Sequence, residues 1–416
     1  MTETPAAFLQ LPSPSAQRIA LRITAPGERA LKQGHPWVFD QSITEQSHEG
    51  KPGDLAVIFD ENRVFLGIGL YDPTSPIRVR VLQSLKPAPI DRNWFQEKIK
   101  IAAAIRAPLS QQNTNGYRQI HGENDGLPGL VIDRYAEMLV LKLYTPAWIP
   151  HLTDLFSALA ETQSFNRLIL RLSRALNKQA DLLYGLSDGM ILTGQTSEAP
   201  ILFQENGLTF ECDPIHGQKT GFFLDQRENR ARVRDLSKDK SVLNVFSYTG
   251  GFSLYAADGG ATQVVSVDFS KPAMQATLRN IKHNQHNPNV HNAKFETLDQ
   301  DAFEALAQMK TSSRLFDMVI LDPPMFAQNR SQTETALTAY RRLTRLGLDV
   351  LQRGGILVQA SCSSRVSSVE FFDAIHRSAR EAGRPLKEIE RTGHPLDHPI
   401  TYKEGAYLKC LFTVAP

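Results

Sequence analysis

The stretch from Ser241 to Ser270, SVLNVFSYTGGFSLYAADGGATQVVSVDFS, decides the fold of this chain. Its apolar run from Val242 to Phe246 predicts a buried strand, and the polar and glycine residues that follow predict a tight turn. A short helix and a second apolar strand come next, and that strand ends at Asp268. Such a unit brings glycine backbone and a carboxylate to the carboxyl edge of a parallel sheet, where ligands bind.

The ligand that this unit suits is a nucleoside without a diphosphate. Asp268 lies where a carboxylate can accept hydrogen bonds from the two hydroxyls of a ribose. The turn does not follow the GxGxxG pattern, and no glycine cradle at the helix start suits a pyrophosphate. S-adenosylmethionine therefore fits better than NAD. An α/β fold that binds no ligand would also show strands and glycines, and that interpretation stays open at this point.

Length, charge and cysteine content narrow the class of protein. A chain of 416 residues predicts two or three domains. No apolar run approaches membrane-spanning length, so we expect a cytoplasmic protein without membrane contact. The three cysteines, Cys212, Cys362 and Cys410, are too few and too scattered for a disulfide scaffold or a zinc cluster, and no metal site is predicted. A net charge of +2 neither favours nor excludes nucleic acid.

The order of patterns predicts a short flexible tail followed by three domains. Residues 1–14 form the tail, 15–84 a β-rich module, 85–200 a small α+β domain, and 201–416 an α/β domain with a parallel sheet. Hairpins are expected at Ala136 and at Asn206-Gly207. The last two strand-like runs, LKEIERTG and YLKCLFTVA, have no clear helix between them. They predict an antiparallel finish at the sheet edge, which favours a methyltransferase-type sheet over a dehydrogenase.

The β-rich module contains an aromatic motif, His35-Pro36-Trp37-Val38-Phe39, that has two interpretations. Core packing of Trp37 and Phe39 is the more frequent role of such residues. The alternative is an aromatic and basic surface for RNA. The basic residues that would contribute to that surface are Arg29, Lys32, Arg78 and Arg80.

Two strand ends in the last domain carry residues suited to chemistry. One buried strand ends in Asp322-Pro323-Pro324, a rigid turn that suits a flat heterocycle held edge-on. The next ends at Cys362, which is flanked by serines and followed by Arg365 and a helix start; the nearby cation and the helix start favour a thiolate. Cys362 is interpreted as a nucleophile at the same edge as Asp322, with a small buried thiol as the alternative.

Nine motifs, taken in their order along the chain, resemble one family. The motifs are HPWVF, DGLPGLVIDRY, GQKTGFFLDQRENR, NVFSYTGGFSLYAA, VDFS, DAF, LDPPMF, SCSS and DHPITYKEGAYLK. The chain is similar over nearly its whole length to bacterial large-subunit rRNA cytosine-5 methyltransferases with an N-terminal PUA domain. One departure is Met325, which stands where family members often have a lysine. LDPP alone is shared by many methyltransferases of other bases and amines.

The resemblance implies a fold and a set of site residues. The fold is a PUA-like RNA-binding domain, a central α+β domain and a Rossmann-like class I methyltransferase domain that binds S-adenosyl-L-methionine. Beside Asp268 at the ribose and Asp301 near the adenine, the implied cofactor ligands are Ser247, Tyr248, Thr249, Gly250, Asp225, Gln226 and Asp322. The residues assigned to the RNA substrate are Pro323, Pro324, Phe326 and Lys219.

The implied reaction is methylation of cytosine C5 in large-subunit rRNA. Cytosine C5 is too weak a nucleophile to attack a sulfonium methyl, and addition of a thiolate at C6 activates it. Cys362 and Asp322 are therefore the expected catalytic residues. Two alternatives remain: methylation of a guanine or another base nitrogen, where Cys362 would be incidental, and a non-catalytic RNA-binding ribosome-assembly factor. A homodimer is left open.

Overall fold

A computed structural model describes residues 4–195, 200–327 and 329–416. The chain divides into two compact units. The first comprises Met1–Gln204, Cys212–Leu224 and Leu396–Gly405, and the second comprises Glu205–Glu211, Asp225–Pro395 and Ala406–Pro416. Within the described ranges, no helix is both long enough and apolar enough to cross a membrane.

The first unit begins with a six-stranded sheet, as the β-rich pattern predicts. Its strands are β1 Ile19–Ile23, β2 Trp37–Phe39, β3 Ile43–Gln46, β4 Leu55–Phe59, β5 Phe65–Tyr71 and β6 Ile77–Ser84, and helix α1 Ala25–Lys32 follows β1. They are arranged in the order β2-β6-β5-β4-β1-β3. The pair β1 and β4 is parallel, whereas β4 and β5 are antiparallel.

A second sheet of five strands follows in the same unit, in the order β11-β10-β9-β8-β7. Its elements are α2 Arg92–Arg106, α3 Pro108–Gln111, β7 Gly116–His121, β8 Leu130–Tyr135, β9 Met138–Leu143, α4 Leu152–Thr162, β10 Arg167–Leu172 and β11 Ile191–Thr193. The predicted hairpin at Ala136 is confirmed: β8 and β9 pair antiparallel, and Ala136 has a φ of 53°.

One apolar core joins the two sheets of the first unit. Leu70 of β5 and Leu82 of β6 belong to the same buried cluster as Phe95 of α2 and Trp148. The predicted β-rich and central domains therefore share their packing. Phe8, in a 3-10 turn over Ala6–Gln10, is also buried in this core, with its ring centroid 5.8 Å from that of Phe156. That part of the predicted flexible tail is thus packed.

The second hairpin is confirmed as well. Strands β12 Ile201–Glu205 and β13 Leu208–Cys212 form a two-stranded sheet. Asn206 and Gly207 connect them with φ values of 50° and 82°. Positive φ at both turn residues is the geometry that an Asn-Gly hairpin favours, because glycine and asparagine adopt it at low cost.

The second unit is built on a seven-stranded sheet. Its elements are α5 Arg227–Leu236, β14 Ser241–Val245, α6 Gly251–Asp258, β15 Gln263–Asp268, α7 Lys271–His283, α8 Pro288–Asn292, β16 Lys294–Asp299, α9 Ala302–Thr311, β17 Phe316–Leu321, α10 Thr333–Asp349, β18 Leu351–Ser361, α11 Ser368–Glu381, β19 Lys387–Thr392 and β20 Lys409–Ala415. The strand order is β16-β15-β14-β17-β18-β20-β19. The five strands from β14 to β18 are parallel, as the alternation of apolar runs and helices predicts.

The predicted antiparallel finish at the sheet edge is confirmed. Both β20 pairings are antiparallel, but β20 is inserted between β18 and β19, and β19 forms the edge. The side-chain pattern explains this order, since six of the seven β20 residues are buried whereas β19 is largely exposed. The backbone groups of β20 are paired on both sides, whereas β19 leaves one row of backbone groups at the edge of the sheet. Helix α10 ends at Asp349, and β18 begins at Leu351.

Candidate active site

The turn between β14 and α6 is held in an unusual backbone conformation. Phe246 and Tyr248 have φ values of 62° and 47°, a region that residues with side chains seldom adopt. Gly250 has a φ of 77°, and a Cβ there would lie 2.5 Å from Cγ2 of Thr277. Side chains of α7 hold the turn: Asn280 donates to the carbonyl of Thr249 at 2.9 Å. Backbone conformations of this kind persist where the surroundings fix them, often at ligand sites.

Two hydroxyls of this turn are buried without a hydrogen-bond partner among the described residues. They are Oγ of Ser247 and Oγ1 of Thr249, on side chains that are only 6% and 8% exposed. A buried hydroxyl without a partner is costly, by about 1–3 kcal/mol, and is rare in folded proteins. A polar ligand bound at the turn would supply the missing partners, so these residues fit the predicted cofactor.

Asp268 ends the neighbouring strand, β15, and its carboxylate helps to fix the turn. Oδ2 accepts from the backbone N–H of Tyr248 at 2.9 Å, and Oδ1 accepts from that of Ser270 at 2.9 Å. A carboxylate oxygen can accept two hydrogen bonds, so one position remains on each oxygen. Two adjacent hydroxyls, as on a ribose, match that arrangement. Phe269, which the sequence argument missed, is 74% exposed directly beyond this carboxylate.

Asp301 has a structural role in addition to its predicted contact with adenine. Its Oδ1 accepts from the backbone N–H groups of Phe303 and Glu304 at 2.8 and 3.1 Å, which makes it the N-cap of α9. It follows β16, the strand that pairs with β15 in parallel. The residue is exposed, and its role at the adenine stays a prediction.

Asp322 is held by a chain of polar side chains that starts on α5 and ends on β19. Nε2 of Gln226 donates to Oδ2 of Asp322 at 3.0 Å, and Asn229 donates to Oε1 of Gln226 at 2.5 Å. Thr392 in turn donates to Oδ1 of Asn229. Gln226 and Asn229 are buried. A buried network with satisfied members fixes side chains in place, so the orientation of the Asp322 carboxylate is defined before any ligand binds.

Asp225 is fixed in a similar way from the end of the chain. The side chain is 2% exposed, and its Oδ2 accepts from the hydroxyl of Tyr407 at 2.9 Å. The sequence indicated Asp225 and Gln226 by motif but missed Asn229, Thr392 and Tyr407. Asp225 and Tyr407 are 182 residues apart, so no local sequence pattern predicts that they are in contact.

Cys362 follows β18 directly and differs from the other two cysteines. It is half-buried, whereas Cys212 and Cys410 are 3% and 0% exposed. Burial raises the pKa of the Cys410 thiol well above its usual value, as expected for an inert core cysteine. Because β17 and β18 are parallel neighbours, Asp322 and Cys362 lie at the same edge of the sheet, as predicted.

Tyr340 on α10 is placed beside this edge. Its hydroxyl lies 2.8 Å from Oγ of Ser361, and burial raises the pKa of Tyr340 to about 12. The charged forms of Cys362 and Asp322 would act on this pKa in the same direction. Tyr340 is therefore neutral at physiological pH.

The residues assigned to the RNA substrate have different local settings. Pro323 is buried, Pro324 is exposed, and Phe326 is half-buried with its ring centroid 5.1 Å from that of Tyr340. Met325 is 47% exposed. Lys219 belongs to the first unit, where its Nζ lies 4.3 Å from the centroid of the Phe223 ring. Contacts of these residues with RNA stay predictions.

The aromatic motif of the first unit is partly packed: Val38 is buried, whereas Trp37 and Phe39 are half-buried. The indole N–H of Trp37 donates to Oε1 of Glu123 at 3.0 Å, and its ring lies 5.4 Å from that of Tyr402. Arg80 is 7% exposed and pairs with Asp72 at 3.3 Å, so it is not available as a surface cation. Arg29 and Lys32 are exposed. Trp37 and Phe39 keep part of their surface exposed, so both interpretations stay predictions, and a basic RNA surface would use Arg29 and Lys32 rather than Arg80.

Residues 4–195, 200–327 and 329–416 contain no candidate metal-binding site. No group of three or more His, Cys, Asp or Glu side chains in these ranges could hold a metal ion.

The strand order, the strained turn and the carboxylate after the second strand define the class: the second unit is an S-adenosylmethionine-dependent methyltransferase domain. Residues 158–413 match the S-adenosylmethionine-dependent methyltransferase family, and residues 21–84 match the PUA-like domain family. The chain belongs to the family of ribosomal RNA large subunit methyltransferases with a PUA-like domain.

Relatives of similar length support this assignment. The chain is 45% identical to the ribosomal RNA large subunit methyltransferase of Deinococcus radiodurans, over 97% of this chain and 99% of the relative. It is 35% identical to ribosomal RNA large subunit methyltransferase I of Pseudoalteromonas translucida, over 94% and 98% of the two chains.

Solved structures show the same fold. A chain named as a SAM-dependent methyltransferase from Streptococcus mutans superposes with a TM-score of 0.79 at 20% identity, covering 95% of this chain and 99% of that one. A second, solved with SAH, gives a TM-score of 0.80 at 21% identity and the same coverage.

Proposed function

We propose that this protein methylates C5 of a cytosine in large-subunit ribosomal RNA, with Cys362 as the nucleophile. The relatives are named for the large-subunit RNA, which supports the substrate class. The observation that carries the choice of C5 is the setting of Cys362. It is the one cysteine of the three that is not buried, and it follows the strand next to Asp322. Methylation of a base nitrogen gives no role to a thiol at that place.

The proposed cofactor pocket uses the turn and the two carboxylates described above. Ser247 and Thr249 would give their hydroxyls to the methionine portion, beside the backbone of Tyr248 and Gly250. Asp268 would hold the ribose, and Phe269 offers an exposed ring against which adenine can stack. Asp225 and Gln226, fixed by Tyr407 and by Asn229, would close the pocket from the other side.

The proposed reaction begins at the sulfur of Cys362. The thiolate adds to C6 of cytosine, which makes C5 nucleophilic. C5 would then take the methyl group of S-adenosylmethionine as the sulfonium S–CH3 bond breaks, which leaves S-adenosylhomocysteine. Removal of the C5 proton by a base returns the electron pair to the ring, and the C6–S bond breaks to release the thiolate and 5-methylcytosine. Tyr340 is neutral, so it is not the anion that adds to the ring.

Asp322 would align the cytosine and stabilise the charge that develops on the ring. Its carboxylate accepts hydrogen bonds, which suits the exocyclic amino group, and Gln226 already fixes Oδ2. Rigid Pro323 and Pro324 follow, so the edge of the base meets a defined surface. The target nucleotide has to be unpaired or flipped out of its helix to reach this edge.

Trapping with 5-fluorocytosine tests the mechanism. RNA that carries this base at the target should form a covalent, denaturation-resistant adduct with the wild-type protein, because fluorine cannot be removed as a proton. Peptide mapping should place the adduct on Cys362. Cys410→Ala is the matched control and should trap normally. A methyl group on a guanine nitrogen, or efficient methylation without an adduct, would refute the proposal and favour the nitrogen-methylating alternative.

A further inference from the structure

A buried lysine contacts the loop that follows Cys362; it is the last residue of the DHPITYKEGAYLK motif, and the sequence assigned it no role. Lys409, the first residue of β20, is 4% exposed. Its Nζ donates to the carbonyl oxygens of Ser363 at 2.5 Å, Val366 at 2.7 Å and Tyr407 at 3.2 Å. An ammonium group has three N–H donors, so all of them are used by backbone carbonyls. Among the described residues, no carboxylate lies within 4.0 Å of this ammonium.

Two of those carbonyls belong to the segment that connects Cys362 with α11. The segment is fixed at both ends as well. The backbone N–H of Ser363 donates to Oγ of Ser361 at 3.3 Å, and Ser367 forms a capping box with Glu370 at the start of α11. Lys409 therefore ties the middle of a loop whose ends are already held. Such a loop presents the thiol in one defined position.

The ammonium also affects the electrostatics of the thiol. Burial lowers the pKa of Lys409 to about 8, while the nearby Cys362 and, more weakly, Glu370 favour its charged form. Lys409 is thus protonated below pH 8, and its attraction to the Cys362 thiolate is mutual. Asp322 and Tyr340 are further titratable groups at this edge, and Tyr340 is neutral. A cation close to a cysteine favours the thiolate form.

We propose that Lys409 is a positioning residue for Cys362: it holds the loop that presents the thiol, and its charge favours the thiolate. The inference rests on the proposed function, in which Cys362 attacks the base. It assigns to a residue of β20 the electrostatic role that an adjacent histidine has in many cysteine enzymes. The insertion of β20 beside β18 places the lysine there, since Lys409 is paired with Ser361 in the antiparallel register.

The test is the pH dependence of Cys362 alkylation by iodoacetamide, measured by peptide mass spectrometry on the full-length protein without RNA or cofactor. The wild-type midpoint should lie below that of an ordinary thiol, about 8.5. In Lys409→Gln, which keeps N–H donors but removes the charge, the midpoint should rise by about one unit, so alkylation at pH 7 slows about tenfold. Lys409→Arg keeps the charge and should keep the low midpoint. Cys212 and Cys410 report folding, because they become reactive only if their cores open.

A purely structural lysine would lower the amount of folded protein without moving the midpoint, and that outcome would overturn the inference. A wild-type midpoint at or above the ordinary value would overturn it too, even if neither variant folds. The proposed function fails by a different result. A low midpoint without an adduct on 5-fluorocytosine RNA would refute the covalent mechanism alone, whereas an adduct formed by a thiol of ordinary midpoint would refute only the role of Lys409.

Discussion

Replacing Asp268 by alanine should weaken the binding of S-adenosylmethionine more than any other single change at the ribose end of the pocket. The carboxylate has one acceptor position left on each oxygen after its bonds to the backbone of Tyr248 and Ser270. Two ribose hydroxyls would fill these positions. A hydrogen bond to a charged group contributes about 1.5–3 kcal/mol, so the loss of both amounts to about 3–6 kcal/mol. The dissociation constant should rise by a factor of about 10² to 10⁴.

A second effect of the same substitution acts through the turn. Without Asp268, the N–H of Tyr248 loses its acceptor, although Tyr248 has to keep a φ of 47° for the turn to persist. Asp268→Asn separates the two contributions. It keeps the size of the side chain and one acceptor oxygen but turns an amide N–H group towards a backbone N–H. Its affinity should lie between those of the wild type and the alanine variant.

Calorimetric titration of the three proteins with S-adenosylmethionine is the assay. S-adenosylhomocysteine has the same ribose, so its affinity should fall by the same factor. Asp349→Ala is the matched control: it removes an aspartate that pairs with Lys310 at 2.9 Å at the amino end of β18, and affinity should not change. Equal thermal midpoints would show that the variants are folded. An alanine variant whose affinity stays within about threefold of the wild type would refute the placement of the ribose at Asp268.

Three further predictions concern the reaction, the RNA and stability. Cys362→Ala should lose nearly all methylation of large-subunit RNA while keeping its affinity for S-adenosylmethionine, since the thiol acts on the base; residual turnover near the wild-type rate would contradict this. Arg29→Ala combined with Lys32→Ala should weaken RNA binding in filter-binding assays. The slope of log affinity against log salt concentration should become shallower by up to about 2, with the exposed Arg345→Ala in the second unit as control. An unchanged slope would show that these cations do not face RNA. Arg230→Met should lower the free energy of unfolding in urea by about 3–5 kcal/mol, because it leaves the buried carboxylate of Glu205 without the guanidinium that contacts it at 2.7 and 2.8 Å. Adding Glu205→Gln should recover part of this loss. An effect as small as that of the exposed Arg377→Ala would refute the importance of the pair.

The exposed Arg29 and Lys32 are better test sites than a deletion of residues 1–84. The first two sheets share one core, so a deletion would expose Phe95 and Trp148, which pack against Leu70 and Leu82. Loss of RNA binding in such a truncated protein would then report unfolding as readily as loss of a binding surface. Point substitutions leave that core intact.

Much of the fold, and the positions of the residues proposed to carry the chemistry, could be predicted from the sequence because they depend on local patterns. The apolar runs of β14, β15 and β17 mark buried strands, and Asn206-Gly207 marks a hairpin. Once the strands are known to be parallel, their carboxyl ends have to meet at one edge. Asp268 ends β15, and Asp322 and Cys362 directly follow β17 and β18, so their gathering at one edge needs no knowledge of distant contacts.

The tertiary structure alone decided which distant side chains hold those groups. Hydrophobic periodicity reports which face of a strand is buried, but it does not report the neighbour of the strand. The sequence therefore did not predict that β20 lies between β18 and β19. Nor did it predict that Lys409 of β20 contacts the loop after Cys362. The contacts of Gln226 with Asp322 and of Tyr407 with Asp225 also join residues far apart in the chain. Arg80 was predicted to contribute to an RNA-binding surface, but it is buried against Asp72. The sequence does not show which charged residues are paired inside the fold.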